Sequence, residues 1–386
     1  MNDEPVSLVE CGDYRRESVR KSVAAALELL GGAGSIAGHG QTVFLKVNAV
    51  VAAAPETARV THPEVVRAVA EEFGKVTGRV LIGDSPGGPF TPALLKRVYE
   101  KNGLAEVARQ TGAELSFDTR TVDVSLPDGT AVKRVTLCAA MVEADRLVSI
   151  SKFKTHSYLN ITGPIKNLYG AVPGTTKFSY HSRFDNERDF ADLIVDVHLA
   201  ARPAFHLVDA VDAIDGDGSK RGAIRKMGMI AAGANAFALE SLLMKLVGLE
   251  MRDSLVLRAA IQRGICGEGT AWFEVLGDVG SEPVLSDFRL PAGNVFTERI
   301  GALLVERLNR RLAARPVPLP EACTLCGTCV KVCPRRAVTL GEDAAVVDRR
   351  KCIRCFCCSE LCEFEAIDIR TPALQRAFRR RSRLRI

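Results

Sequence analysis

Apolar positions change period repeatedly along the first three hundred residues, and the changes predict the architecture. Short runs rich in Val, Ile, Leu and Phe recur at 6–9, 42–47, 79–82, 147–152, 205–208 and 229–232. Each is too short for a helix and is closed by glycine or polar residues, which marks buried strands. Between them apolar residues recur three and four apart. Val19, Val23, Leu27 and Leu30 make one such stripe over 17–30, ended by Gly31-Gly32. Thr61-His62-Pro63 opens a helix that runs through Phe73, with proline in the first turn, where its missing N–H costs nothing. Further helices are expected at 91–111, 188–201 and 237–247, with a last amphipathic one at 297–314. Pro127-Asp128-Gly129 is expected to turn a hairpin. Strands alternating with helices predict an α/β domain with a mostly parallel open sheet over 1–314. The proline run at 315–320 then reads as a stiff linker. A small α+β domain at 321–372 and a basic tail at 373–386 complete the expected order.

Composition adds limits. With 386 residues, 47% of them hydrophobic, the chain can bury substantial cores in two or three domains. Met1-Asn2-Asp3-Glu4-Pro5 lacks the basic and apolar regions of a signal peptide. The most apolar region, 227–249, is broken by Glu240 and Lys245, so no transmembrane segment is expected. A reducing cytoplasmic location without disulfides follows as the expectation. Much of the net charge of +6 sits in Arg376, Arg379, Arg380, Arg381, Arg383 and Arg385. That tail reads as a solvated terminus, and no nucleic-acid partner is expected.

Eight of the twelve cysteines form two copies of one pattern: Cys323, Cys326, Cys329 and Cys333, then Cys352, Cys355, Cys358 and Cys362. Each iron of a [4Fe-4S] cube takes one thiolate, and a run of three cysteines at every third residue wraps a loop around the cube. The fourth reaches across. Cys323, Cys326, Cys329 and Cys362 would hold one cluster, and Cys352, Cys355, Cys358 and Cys333 the other. Zinc sites would present pairs, not runs of three followed by Cys333-Pro334. The region resembles the two-cluster bacterial ferredoxin domain. It departs at Glu363, where the first copy has Pro334, and at Cys357, a spare thiol read as a buried bystander. Cys11, Cys138 and Cys266 read as small core residues.

Polar residues gather at successive strand ends, where open α/β sheets bind ligands. Lys46 and Asn48 end one strand, and Asp84 and Ser85 the next. Lys152, Lys154, Thr155 and His156 end a third, and Asp209, Asp212, Asp215 and Asp217 surround a fourth. The segment from Lys152 to Gly174, followed by His181, is the richest: lysines suited to carboxylate or phosphate, and two of the six histidines, suited to proton transfer. Lys154, His156, Lys166 and His181 are the expected catalytic set, with Lys46 and Lys154 adding cationic binding. His198 and His206 read as packing residues. Gly83-Asp84-Ser85-Pro86-Gly87-Gly88 has the wrong spacing for a dinucleotide loop and an acid where phosphate would sit, so neither NAD nor flavin is expected.

These motifs also carry a family resemblance. Lys46-Val47-Asn48, Thr61-His62-Pro63, Gly83 to Gly88, Lys152-Phe153-Lys154-Thr155-His156, Thr162-Gly163, Lys166-Asn167-Leu168-Tyr169-Gly170 and Val208-Asp209-Ala210 together resemble the domain of unknown function 362 family, often fused to a ferredoxin domain. The resemblance implies a shared substrate pocket that includes Lys46, Asn48, Thr61, His62, Asp84, Ser85, Lys152, Thr162, Gly163, Asn167 and Asp209. Asn235 and Glu240 stand where aspartates would be expected, which weighs against a metal role there. More remotely, His156, Lys166, Pro173-Gly174 and His181 are similar in succession to the nickel-pincer lactate racemase family. That likeness implies Lys166 as a tether or anion anchor, His181 as a nickel ligand and His156 as a proton donor.

The leading expectation is an iron-sulfur oxidoreductase that passes single electrons through two [4Fe-4S] clusters to a small anionic substrate. It would exchange electrons with an external donor or acceptor protein and is compatible with a homodimer. Two alternatives stand: a non-catalytic electron-transfer or assembly protein that docks a redox partner, and a nickel-pincer-type isomerase.

Overall fold

A computed structural model of the protein describes residues 5–216, 218, 222–278, 284–291 and 314–370. The helix expected at 297–314, Asp217 and the basic tail fall almost wholly outside these residues. Strands β1 (Val6–Glu10), β2 (Thr42–Lys46), β3 (Arg79–Gly83), β4 (Glu114–Leu115), β5 (Thr121–Ser125), β6 (Arg134–Cys138), β7 (Arg146–His156), β8 (Asn160–Thr162), β9 (Phe205–Asp215), β10 (Ala223–Gly233) and β11 (Val275–Gly277) form the larger part. Helices α1 (Arg16–Glu28), α2 (Ala33–Ile36), α3 (Pro63–Gly74), α4 (Pro92–Lys101), α5 (Leu104–Thr111), α6 (Ala139–Glu143), α7 (Pro164–Asn167), α8 (Thr176–Arg183), α9 (Glu187–Ala201), α10 (Ala236–Leu246) and α11 (Leu255–Gln262) connect them.

The fold is α/β with a mostly parallel sheet. Its order is β11-β1-β10-β9-β7-β2-β3-β4, with β8 paired to β7 off that path. Strands β9, β7, β2, β3 and β4 are successively parallel, and β10 runs antiparallel to both β9 and β1. Alternation of side chains across the sheet feeds two cores. Val43, Leu45, Val148, Ile150 and Leu207 pack against α1, α3, α4 and α5 on one face. Phe44, Leu147, Phe153 and Val208 pack against α9, α10 and α11 on the other. The hairpin expected around Pro127 forms between β5 and β6.

Two expectations are corrected here. The single helix expected at 91–111 is two, because Gly103 takes φ 78 and the Asn102 side chain accepts the Ala53 N–H at 2.9 Å. Strands read as ending near Lys152 and Val208 continue to His156 and Asp215. Polar residues commonly end a strand, but these are buried and paired across the sheet. Lys152 Nζ lies 2.9 Å from Asp209 Oδ1 and donates to the Tyr14 hydroxyl at 2.6 Å, with both ionic side chains fully buried. His62 caps α3, accepting the Glu64 N–H at 3.2 Å, and stacks on Tyr14 with ring centroids 3.7 Å apart.

The small domain contains β12 (Arg315–Pro318), β13 (Val338–Leu340), β14 (Ala345–Val347) and β15 (Ile367–Arg370), with short helices α12 (Thr328–Lys331) and α13 (Cys357–Glu360). The proline run read as a linker is itself strand β12, antiparallel to β15. A two-stranded ribbon tolerates Pro316 and Pro318 because an edge strand need not donate from every residue. The cysteine repeat is a structural repeat as well. Cys323, Cys326, Cys329 and Cys333 each precede their counterparts by the same 29 residues. Left-handed backbone recurs at that spacing: Leu325 (φ 55) and Arg354 (φ 60), Gly327 (φ 74) and Phe356 (φ 59), Arg336 (φ 49) and Glu365 (φ 54). The turn after Cys362 therefore matches the one after Cys333 without a proline.

The Lys152–Asp209 pair is a local stability test. Lys152→Met should leave the Asp209 carboxylate buried and unpaired and cost about 3–5 kcal/mol. The shift in urea unfolding midpoint measures it. Adding Asp209→Leu should recover much of the loss.

Candidate functional site

A partly open cavity of about 80 Å³ lies where the small domain meets the C-terminal ends of the parallel strands. Its wall includes Lys46, Asn48, Asp84, Ser85, His156, Thr162, Lys166, Asn167 and His181 from the α/β domain, and Cys357, Glu360 and Leu361 from the small domain. Nine expected site residues thus converge. Thr61, His62, Lys152, Gly163, Lys154 and Asp209 do not line it. Thr61 Oγ1 donates to the Ile150 carbonyl and accepts the Asn48 N–H, each at 2.9 Å. His62, Lys152 and Asp209 form the Tyr14 cluster already described. Gly163 packs on Glu240 so closely that a Cβ would lie 2.9 Å from its Oε2. Lys154 sits behind the wall, donating to Asn48 Oδ1 at 2.9 Å and to the Arg59 carbonyl.

The lysines divide by what they touch. Lys46 Nζ contacts Asp84 Oδ1 at 2.9 Å, Val47 O at 2.7 Å and Asn167 Oδ1 at 3.0 Å, which uses all three of its protons. Lys177, a residue not anticipated from sequence, donates to Ser85 O at 2.7 Å, Val172 O at 2.5 Å and Ser85 Oγ at 3.2 Å. Burial pulls its ammonium down to about 8. Burial, aided by Lys166 and Arg59, pulls Lys154 down to about 7. Lys166 alone of the cavity lysines has no hydrogen-bond or ion-pair partner among the described residues. Burial also lowers it, and Glu360 opposes that shift.

The histidines differ likewise. His156 Nδ1 accepts the N–H groups of Tyr158 and Leu159 at 3.2 and 3.0 Å, so its proton sits on Nε2, 3.0 Å from Glu360 Oε1. Burial opposes ionisation of Glu360, but His156, Lys166 and His181 outweigh it and hold the carboxyl below its usual range. His181 stacks on Phe190, centroids 4.2 Å apart, and its Nδ1 is buried without a partner. Burial drops it to about 3, so the ring is neutral. Thr162 Oγ1 is also buried and unpartnered. His198 and His206 stack with each other in the core, 5.3 Å apart.

Close approach fixes two glycines. A Cβ on Gly170 would stand 2.3 Å from Lys46 Nζ and 2.4 Å from Asp84 Oδ1, and one on Gly87 would stand 2.5 Å from Leu361 Cδ2. Gly87 is thus where the small domain presses on the strand-end loop. Ion pairs Arg97–Glu363 at 2.5 Å, Asp185–Arg335 at 2.7 Å and Arg59–Glu365 at 3.8 Å pin the same interface. Glu363, where the first repeat has Pro334, is one of these anchors.

In the small domain the thiols form two groups. Cys323, Cys326, Cys329 and Cys362 border one cavity. Burial raises the Cys358 thiol, and neighbouring Cys355, Cys352, Cys333 and Cys329 push it the same way, while Cys352 is raised by burial and by Cys355 and Cys333. Ala337 N–H donates to Cys333 Sγ at 3.1 Å and Ala366 N–H to Cys362 Sγ at 3.2 Å, the kind of bond that steadies a thiolate. Among the described residues no three His, Cys, Asp or Glu side chains close on a single ion. A cube needs its thiolates spread apart, one to each iron. The donor set fits iron-sulfur clusters. Cys357 is buried, as expected, and lines the strand-end cavity, one residue from Cys358.

Residues 43–245, more than half of the chain, match the family described as Domain of unknown function (DUF362), and residues 315–363 match one described as 4Fe-4S dicluster domain. The chain belongs to the DUF362 family and carries a C-terminal 4Fe-4S dicluster domain. It is 30% identical over 250 residues to Thylakoid-associated protein sll1697 of Synechocystis sp., an alignment that covers 64% of this chain and 75% of that one. Among solved structures it is similar to the lactate racemase apoprotein of Thermoanaerobacterium thermosaccharolyticum, with 18% identity, TM-score 0.41, and coverage of 64% of this chain and 57% of that one. A Thermotoga maritima protein gives 10% identity, TM-score 0.34, and coverage of 67% and 60%. The chain spans less than two thirds of either solved structure, and likenesses this loose carry no functional inference. Among the described residues no helix is long and apolar enough to cross a membrane.

Two predictions follow from the cavity wall. Gly170→Ala should force Lys46 and Asp84 apart and lower the thermal midpoint by several degrees, whereas Gly34→Ala, whose Cβ would meet only Val76 Cγ1 at 4.0 Å, should change it little. The depressed Lys154 ammonium works against the folded state wherever the unfolded chain is protonated and the folded one is not. Stability should therefore rise as pH climbs from about 7 toward 10.5, and Lys154→Met should flatten that slope in urea titrations.

Proposed function

We propose that the protein is an iron-sulfur oxidoreductase of a reducing, cytoplasm-like compartment, passing single electrons through two [4Fe-4S] clusters to a small anionic substrate in the strand-end cavity. One observation carries this reading. Helix α13 holds cluster-type thiol Cys358 and also cavity-wall residues Cys357 and Glu360, so that one short helix joins the thiol group to the cavity. Bound clusters would supply electrons one at a time, at potentials set by their surroundings.

The residues then divide the work. Lys166, with no hydrogen-bond or ion-pair partner among the described residues, holds the substrate anion. Thr162 Oγ1 and the neutral His181 ring offer further hydrogen bonds to it. His156 keeps a proton on Nε2, shared with Glu360, and delivers it as charge builds on the reduced substrate. Lys46 and Asp84 hold Asn167 and the strand-end loop in place instead of binding substrate. Leu361 and Phe178 help close the cavity to water.

A non-catalytic docking protein would present a shallow surface with few convergent polar groups around His156, and the buried polar side chains that converge on this cavity favour an enzyme. The nickel-pincer reading draws support from the free Lys166 and unpaired His181 Nδ1. Against it, Cys357 and Glu360 of the cluster-bearing helix line the same cavity, which ties it to the iron-sulfur domain.

Anaerobically purified protein should contain about eight irons and eight sulfides per chain. Zinc or nickel in their place would remove this reading. Small unsaturated carboxylates should reoxidise the dithionite-reduced protein. Lys166→Met should slow that reoxidation about 10- to 100-fold while iron content and visible spectrum stay unchanged.

A further inference from the structure

The two thiol groups face in different directions. Cys355 and its neighbours Cys357 and Leu361 pack under Phe178 of the α/β domain. The cavity bordered by Cys323, Cys326, Cys329 and Cys362 is lined only by residues of the small domain, and Cys326 is exposed. This outer group is bordered by apolar side chains left open among the described residues: Leu325 is 37% exposed, Leu340 48% and Phe364 47%. Leu325, Leu340 and Phe364 border the thiol cavity itself. Leu340 pairs with Ala345, which borders the same cavity, so this side of the hairpin is the one that faces the thiols. A contiguous apolar patch of this kind marks a contact surface.

The rim of the patch carries a sign. Between β13 and β14, Glu342 and Asp343 are both exposed and have no partner among the described residues. Unpaired carboxylates at the edge of a contact surface repel acidic partners and draw basic ones at long range.

We propose that this face docks a redox protein whose exposed cofactor edge is framed by basic side chains. The proposal rests on the reading that the small domain carries electrons, and names where they cross the protein surface. A single electron passes between the outer thiol-held cluster and the partner's cofactor. One side is oxidised and the other reduced by one, and no bond or proton moves. Inside the chain the path then runs from the outer group to the inner one and to the strand-end cavity.

Ferricytochrome c, a basic protein with an exposed haem edge, is a suitable probe. The dithionite-reduced, desalted holoprotein should reduce it quickly at low ionic strength and more slowly as salt is added. The Glu342→Lys, Asp343→Lys pair should cut the low-salt rate about tenfold and flatten the salt dependence. Leu340→Lys should slow it too, and benzoquinone reduction should stay the same in all variants. Titration calorimetry of oxidised proteins should rank cytochrome c affinity in the same order without any electron transfer. A rate and affinity indifferent to the charge reversal would overturn the proposal. So would faster reduction in the full-length Arg379→Gln, Arg380→Gln, Arg381→Gln chain, which would assign the patch to the chain's own tail. Protein that accepts no electrons from dithionite would sink the oxidoreductase reading instead, leaving the calorimetry to decide the docking face.

Discussion

Desolvation of cations at the junction of the two domains is the constraint on which the site depends. Lys46, Lys154, Lys166 and Lys177 stand within one small region, and all four ammonium groups are pulled down by burial. Such crowding is tolerable only if nearly every proton finds an oxygen. Asp84, Asn48, Asn167 and Ser85 and a set of backbone carbonyls supply those oxygens for three of the four. The exception, Lys166, faces the cavity with Glu360 as its nearest opposing charge. The small domain thus completes the electrostatics of a pocket that the larger one only begins, and His156 is oriented by backbone on one side and by Glu360 on the other.

Much of the fold was legible because its signals are local. Strand runs at 42–47 and 79–82, the proline-opened helix at Pro63 and the cysteine runs each state their structure within a few residues. Errors came where tertiary pairing overrode local chemistry. Lys152, Lys154 and His156 read as the end of a strand, yet they continue it, since Asp209, Asn48 and Glu360 meet them from other elements. The proline run read as a spacer because its partner strand lies some fifty residues on.

The candidate site was partly legible for the same reason. Lys46, Asn48, Asp84, His156 and Lys166 stood out because polar residues at consecutive strand ends of a parallel sheet converge by topology. Lys177 was missed inside α8, where a lysine on a short polar helix has no local sign of burial. Glu360 and Cys357 were missed because nothing in sequence says which face of the small domain is covered. Conversely, Lys152, Asp209 and His62 looked functional for the feature they share with the true cavity residues, a charged group next to a strand, but their charges cancel inside the sheet.

The 29-residue duplication has a consequence for how such a chain could change over time. Both halves have the same backbone turns, but their outward faces have opposite duties. One half is fastened to the body of the protein through Leu361 against Gly87 and through Glu363 against Arg97, so its sequence is held by a geometry it cannot leave. Its twin is tied to the body by Arg335 on Asp185 and by Val332 beside Phe178, but it leaves the face around Cys326 open, and that face is free to be reshaped around whichever companion the host supplies. A doubled unit with one face captive and one face open lets a lineage exchange its external associate without disturbing the inner chamber.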